Sequence, residues 1–79
     1  MEIYEVVISK TAEKQLRRLP NYIALKLQAW VESVKHQGLL QVRKIPGYHD
    51  EPLQGKRGGQ RSIRLSRAYR AIYIIGNYL

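Results

Sequence analysis

Six basic residues and no acidic residue fall within residues 55–75, GKRGGQRSIRLSRAYRAIYII. All six acidic residues of the chain lie at or before position 51, so the part that follows carries six positive charges and no negative one. A surface of one sign attracts phosphate backbones, anionic membranes or acidic proteins. A face that only keeps a protein soluble normally mixes both signs, so we favour an anionic partner.

Arg70 is the strongest candidate for a functional residue, because it lies in the most apolar run of the chain, YRAIYII. Burying an unpaired guanidinium costs free energy, so this side chain needs either a carboxylate or a cleft that admits an anion. Glu2 or Glu5 on the first predicted strand is a possible carboxylate. A solvent cleft that holds a phosphate is the alternative we favour.

Two other pairs of side chains are constrained by their spacing. Arg61 and Arg64 lie three positions apart, so on a strand they point to opposite faces. Asp50 and Glu51 are neighbours and point apart if the chain is extended there, although either could accept a proton singly. The glycines of GKRGG do not have the spacing of a phosphate-binding P-loop.

Length and composition bound the remaining possibilities. A chain of 79 residues is predicted to form one small domain, residues 1–79. It has no cysteine, which excludes disulfides and cysteine-ligated zinc and fits a reducing compartment. Its two histidines, His36 and His49, make no metal-ligand pattern, and we expect neither a metal nor a cofactor. No window is long and apolar enough to cross a membrane, so we expect a cytoplasmic protein without a membrane partner.

The hydrophobic periodicity predicts where these residues lie. It indicates a strand at 2–9, helices at 10–19 and 22–37, and strands at 60–66 and 69–75 around a hairpin loop at 66–68. Ser9 or Thr11 can cap the first helix and Asn21 the second, which Gly38 ends. Residues 39–45 fit a short strand or a helical turn, and residues 76–79 a turn into a further strand. The economical fold is α+β, with two N-terminal helices packed on a small, mainly antiparallel sheet.

The sequences EVVISKTAEKQLRRLP and EPLQGKRGGQRSIRLSRAYRAIYII resemble, respectively, the opening strand and helix and the PLKG…(Y/W)-R block of the RelE/ParE toxin superfamily. The similarity is strongest to its RelE- and HigB-like ribonucleases, and the order strand-helix-helix-strand-strand agrees. The resemblance implies a toxin of a type II toxin–antitoxin module that cleaves mRNA in the ribosomal A site without a metal. Its partners would be the ribosome, mRNA and a cognate antitoxin protein.

In the family, the arginine of the tyrosine–arginine pair corresponds to Arg70, to which the resemblance assigns stabilisation of the phosphate charge. A basic position early in the preceding strand corresponds to Arg61. Glu51 stands where HigB-type members have histidine, and we predict that it is the base. Further phosphate or RNA contacts are predicted from the basic and aromatic residues Lys44, Tyr48, Lys56, Arg57, Arg64 and Arg67.

The sequence also departs from the family. Gln54 replaces a lysine, and the 79 residues do not include the C-terminal segment in which the family usually carries further catalytic residues, so either the molecule is truncated or a tail lies beyond Leu79. If the chain ends at Leu79, we expect impaired cleavage, and self-association through the apolar last strand, whose edge would be unpaired. The alternative function is a DNA gyrase inhibitor of the ParE type, or a non-catalytic basic module that binds nucleic acid.

Overall fold

The computed structural model describes residues 2–76, in which the helices come first and the sheet last. In chain order the elements are α1 (Lys10–Leu16), α2 (Asn21–Gln37), α3 (Leu39–Val42), a 3₁₀ turn (Pro46–Tyr48), β1 (Glu51–Pro52), a second 3₁₀ turn (Gly55–Arg57), β2 (Gln60–Arg64) and β3 (Arg70–Ile74). The α+β class, with helices preceding a small antiparallel sheet, is confirmed. The predicted strand start within residues 76–79 falls largely on residues 77–79, outside the described residues.

The two predicted helices are present with shifted ends. Ser9 caps α1, where its hydroxyl accepts a hydrogen bond from the backbone N–H of Ala12 at 3.1 Å. The helix ends three residues before the predicted position, because the chain tightens into a turn ahead of Pro20. Pro20, rather than Asn21, occupies the cap position of α2, and no side chain caps that helix.

The predicted strand at residues 2–9 is wrong, since this segment joins no strand of the described sheet. It docks on the start of α3 instead. The carbonyl of Ile3 accepts a 2.8 Å hydrogen bond from the backbone N–H of Leu39, and the Glu2 carboxylate accepts one from that of Leu40 at 3.0 Å. The latter bond and a second one from the N–H of Ile3 lower the pKa of Glu2 below its ordinary value.

Gly38 makes this docking possible. Its φ of +88° lies in the left-handed region, and a Cβ there would stand 2.5 Å from the Glu2 side chain. We expect Gly38→Ala to lower the free energy of unfolding by at least about 1–2 kcal/mol, the ordinary cost of a left-handed non-glycine residue. The measurement is thermal unfolding, with Gly47→Ala as control, because that position has open space and an ordinary φ. Equal melting temperatures for the two variants would contradict the role of Gly38.

The core forms where α2 and α3 pack on one face of the sheet. The predicted apolar stripe of α2 supplies Ile23, Trp30 and Val34, all buried, while Leu27 is partly buried. The other buried apolar residues come from α3, the first 3₁₀ turn and the hairpin: Leu39, Val42, Tyr48, Ile63 and Leu65. Residues 39–45, predicted as a strand or helical turn, supply the helical turn α3. The core thereby fixes which face of β2 points inward.

The sheet is antiparallel in the order β1-β2-β3, and its register defines two faces. Arg61 of β2 pairs with Tyr73 of β3 on the inner face, toward the helices, where the Tyr73 ring packs 5.2 Å from that of Trp30. Arg64 pairs with Arg70 on the opposite, outer face. The predicted separation of Arg61 and Arg64 is therefore confirmed.

Strand β3 is an edge strand of the sheet within residues 2–76. Its outer-face residues Ile72 and Ile74 are 47% and 67% exposed, and Ile75 after the strand is 52% exposed. The apolar edge agrees with the prediction, and self-association through it stays a prediction.

Of the described helices, none combines the length and the apolar composition needed to cross a membrane.

Candidate nucleic-acid interface

The side chains of two neighbouring acidic residues, Asp50 and Glu51, lie on opposite faces of the sheet. His49, the one non-glycine residue with a positive φ (44°) in the described range, turns the chain into β1. The Asp50 side chain then points to the inner face, where it meets Arg61, and the Glu51 side chain points to the outer face, where it meets Arg70. The prediction that the two acids point apart is confirmed, and each one selects a different arginine.

On the outer face, Arg70 is held by several acceptors. Its Nε donates to Ser62 Oγ at 3.1 Å, and one terminal nitrogen donates to Ser62 Oγ at 2.9 Å, to the His49 carbonyl at 3.0 Å and to Glu51 Oε1 at 3.3 Å. The predicted carboxylate partners Glu2 and Glu5 are wrong, since the carboxylate is that of Glu51. With 36% of the side chain exposed, the guanidinium remains within reach of a ligand in solvent.

Arg64 lies directly across from Arg70 in the β2–β3 ladder, with its side chain exposed. Directly opposed side chains of an antiparallel pair have Cβ atoms about 4.5–5.5 Å apart, and like charges in this position are destabilising. Glu51 balances one of the two charges, and its contact is with Arg70. An anion placed between the two guanidinium groups would relieve the remaining repulsion.

The inner-face cluster is of a different kind. Asp50 has a fully buried side chain, and its two oxygens accept hydrogen bonds from Arg61 Nε at 2.7 Å and from the Tyr73 hydroxyl at 2.6 Å. Burial and the bond to Asp50 raise the pKa of Tyr73 well above its ordinary value. The cluster therefore favours a neutral tyrosine.

The predicted catalytic set of Arg70, Arg61 and Glu51 is thus divided by the sheet. Arg70 and Glu51 are in contact on the outer face, whereas Arg61 points to the inner face and is only 19% exposed. The prediction that Arg61 shares one site with Arg70 is wrong, because the side chains of a strand alternate between the two faces of the sheet. Arg70 lies opposite Arg64, and Arg64 is three positions from Arg61, so Arg61 and Arg70 point to different faces.

The other predicted contact residues scatter around the sheet. Lys56 and Arg57 are exposed in the 3₁₀ turn before β2, and Arg67 is exposed in the loop after it, so cations flank both ends of that strand. Lys44 lies elsewhere, beside Arg61.

Tyr48 is not available to stack on a base, which corrects its predicted role. Its ring belongs to the core, with 7% of the residue exposed, and the Lys26 ammonium lies 5.0 Å from the ring centroid. Tyr48 is therefore a structural residue.

Sequence reasoning missed two residues of the outer-face site and one of the inner cluster. Ser62 is 2% exposed and accepts two of the four Arg70 hydrogen bonds, and the His49 carbonyl accepts a third. The alternation of β2 already placed Ser62 on the face of Arg64, which was the available signal. The Asp50–Tyr73 bond spans 23 positions, and no local pattern indicates it.

Among residues 2–76, no group of three or more histidine or acidic side chains is placed to hold a metal ion. Comparison of the chain with protein-family models, with curated proteins and with solved structures gives no match. The resemblance to the RelE/ParE superfamily therefore stays a prediction from sequence.

Proposed function

We propose that the chain is an RNA-cleaving toxin of the RelE/ParE kind, with its reaction centre on the outer face of the sheet. The observation that carries the proposal is the contact between Arg70 and Glu51, a cation and a carboxylate on an open face that also carries Arg64. Ser62 and the His49 carbonyl hold the guanidinium in place. A fixed cation beside a proton acceptor is the minimum that attack of a ribose 2′-hydroxyl on its own phosphate needs.

In this mechanism Glu51 accepts the 2′-hydroxyl proton while the 2′ oxygen forms a bond to the adjacent phosphorus. The bond from phosphorus to the 5′ oxygen breaks, and that oxygen takes a proton from water. The products are a 2′,3′-cyclic phosphate and a 5′-hydroxyl end. Arg70, with Arg64 opposite it, neutralises the charge that grows on the phosphate oxygens.

The substrate phosphate has to compete with Glu51 for Arg70. The Glu51 side chain is 62% exposed and makes a single 3.3 Å contact with the guanidinium. Ion pairs this exposed contribute little free energy, about 0–1 kcal/mol, so a phosphate can replace the carboxylate at small cost. The displaced carboxylate then stands next to the bound phosphate, where a general base is required.

Replacement of the base tests the proposal. We expect Glu51→Gln to bind RNA at least as tightly as the unmodified chain, because it removes a negative charge beside the phosphate site. Cleavage should fall by about a hundredfold, the lower range for loss of a general base. The measurements are single-turnover cleavage of a short RNA, alone and on translating ribosomes, and RNA affinity under the same conditions. Cleavage at the unmodified rate would rule out Glu51 as the base.

A salt series tests the wider surface. We expect RNA affinity to fall steeply with salt, because each neutralised phosphate releases condensed counterions. Lys56→Gln/Arg57→Gln should reduce the slope of log K against log [salt] by about 0.7 for each phosphate that is no longer neutralised, the value for single strands. Lys10→Gln/Lys14→Gln on α1 removes the same charge and should leave the slope almost unchanged. A salt-independent affinity would contradict a phosphate-binding role.

The second candidate function is a non-catalytic nucleic-acid-binding module, or a gyrase inhibitor of the ParE type. The observation that favours it is the excess of basic residues after position 51, six cations with no acidic residue, which is enough to bind nucleic acid without a general base. If the chain acts in this way, Glu51→Gln leaves its effect on cells unchanged, and DNA damage appears while messages stay intact.

The partners follow from the same proposal. A toxin of this kind acts in the cytoplasm on ribosome-bound mRNA and is held inactive by an antitoxin protein. An antitoxin segment that contributes acidic residues to the outer face would compete with RNA for Arg64 and Arg70. Affinity purification of the tagged chain from its own cells, followed by identification of any small acidic protein bound to it, tests this partnership.

A further inference from the structure

A basic pocket lies beside Arg61, on the side of the sheet away from the outer-face site. It has a volume of about 470 Å³ and is lined by Glu2, Leu40, Gln41, Arg43, Lys44 and Arg61. Three of these six residues are cations, and neither Glu51 nor Arg70 is among them. The size falls within the range of small-molecule sites, about 300–1,000 Å³.

Arg61 is positioned for this pocket by the buried cluster behind it. Its Nε is bound to Asp50, whose second oxygen is held by the Tyr73 hydroxyl. Tyr73 is a second side-chain hydrogen-bond partner of this guanidinium. The remaining N–H groups lie on a side chain whose orientation is fixed in advance, which lowers the entropic cost of binding.

The charges in the pocket are distributed along α3. Glu2 binds the backbone at the start of this short helix, whereas Arg43 and Lys44 follow its last residue. A helix of four residues rises about 6 Å, so the carboxylate and the two cations occupy separate parts of the pocket. The Glu2 carboxylate stays ionised and favours a group that donates hydrogen bonds, and half-exposed Leu40 offers an apolar surface between the two parts.

We propose that this pocket binds the phosphoryl group of a nucleotide between Arg43, Lys44 and Arg61. Three cations suit a doubly charged phosphate monoester, and a remaining N–H group of Arg61 can donate a charge-assisted hydrogen bond to a phosphate oxygen. The ribose hydroxyls or the amino group of a base are then within reach of Glu2. The ligand is a free mononucleotide or the 5′-phosphorylated end of an RNA. The site is independent of the reaction centre on the outer face and of the proposed cleavage.

The test is an NMR titration of the ¹⁵N-labelled full chain with AMP, with inorganic phosphate and with adenosine, which lacks the phosphate. A parallel arm uses a short RNA with and without a 5′-phosphate. We expect AMP or the 5′-phosphorylated RNA to shift the backbone amides of Arg43 and Lys44 and the Arg61 Nε–H, and adenosine to leave them unchanged. Saturation by AMP indicates a free nucleotide as the source, whereas binding by the RNA alone indicates an RNA end.

Matched variants separate a built site from general attraction to a basic protein. Arg43→Gln and Lys44→Gln should each raise the Kd about tenfold, the loss of one hydrogen bond to a charged group. Lys35→Gln, an exposed residue of α2, removes the same charge and should leave the Kd within about twofold. Both pocket variants leave the Asp50–Arg61 pair intact, so they retain the fold.

Three results would overturn the proposal. The first is no saturable binding of AMP or of the 5′-phosphorylated RNA. The second is equal binding of adenosine. The third is an equal loss of affinity in Arg43→Gln and Lys35→Gln, which would mean that net charge alone attracts the ligand. Each result concerns this pocket only, because RNA cleavage is measured separately through Glu51→Gln.

Discussion

Arg70→Ala is expected to reduce RNA cleavage on the order of 10²–10³-fold, the usual effect of removing one preorganised charge contact with a transition state. Arg70 is held by Ser62, the His49 carbonyl and Glu51, so its position is set before substrate binds. The loss should appear in the cleavage step under saturating RNA. Arg70→Lys, which keeps the charge and loses the planar fork, should recover part of the rate.

The fold should survive this substitution. The Arg70 side chain is 36% exposed, so water can take its place, and the main cost is the missing partner of Ser62 Oγ, about 1–3 kcal/mol. Arg67→Ala in the hairpin loop is the charge-matched control and should weaken RNA binding slightly without slowing cleavage. Full growth arrest by a well-folded Arg70→Ala chain would remove Arg70 from the mechanism.

Asp50→Ala is expected to produce the largest change in stability. Breaking a buried ion pair by removing one partner costs about 3–5 kcal/mol in typical cases, and we expect about 3 kcal/mol here because Arg61 retains some contact with solvent. The Tyr73 hydroxyl loses its acceptor at the same time. In a chain of this size, a loss of that magnitude lowers the Tm by about 12 °C or more.

The neighbouring residue provides the control. Glu51→Ala removes the same charge from an exposed pair and should change the free energy of unfolding by about 1 kcal/mol or less. Tyr73→Phe removes only the phenol–carboxylate bond, and its cost of about 1.5–3 kcal/mol remains measurable if Asp50→Ala does not fold. Equal Tm values for Asp50→Ala and Glu51→Ala would contradict the buried cluster.

The sequence predicted correctly those elements whose buried face follows from the spacing of apolar residues along the chain. The apolar stripe of α2 and the alternation of β2 identified the inward-facing residues, because periodicity reports the face that is buried. The strand at residues 2–9 was wrong for a non-local reason. A run rich in Val, Ile and Tyr fits a strand, but its backbone partners are on α3, more than 30 positions away.

The sequence indicated which acidic and basic residues could form a site, but it did not indicate which acid contacts which arginine. The opposite orientation of Asp50 and Glu51 follows from the extended backbone alone. Which arginine each acid meets depends on the β1–β2 register, since Glu51 lies opposite Ser62 and so reaches the face of Arg70. A two-residue strand gives no periodic signal that would fix its register. The separation of Arg61 from Arg70 depends on the β2–β3 register, in which Arg61 lies opposite Tyr73 and Arg64 lies opposite Arg70.

Mapping of mRNA 5′ ends after induction tests the central claim most directly. The chain, Glu51→Gln and Arg70→Ala are expressed separately in cells at matched levels. We predict new 5′ ends at codon-linked positions in translated messages for the unmodified chain, and their near disappearance in both variants. Intact messages with the unmodified chain, or the same cuts in all three, would contradict a reaction centre built from Arg70 and Glu51.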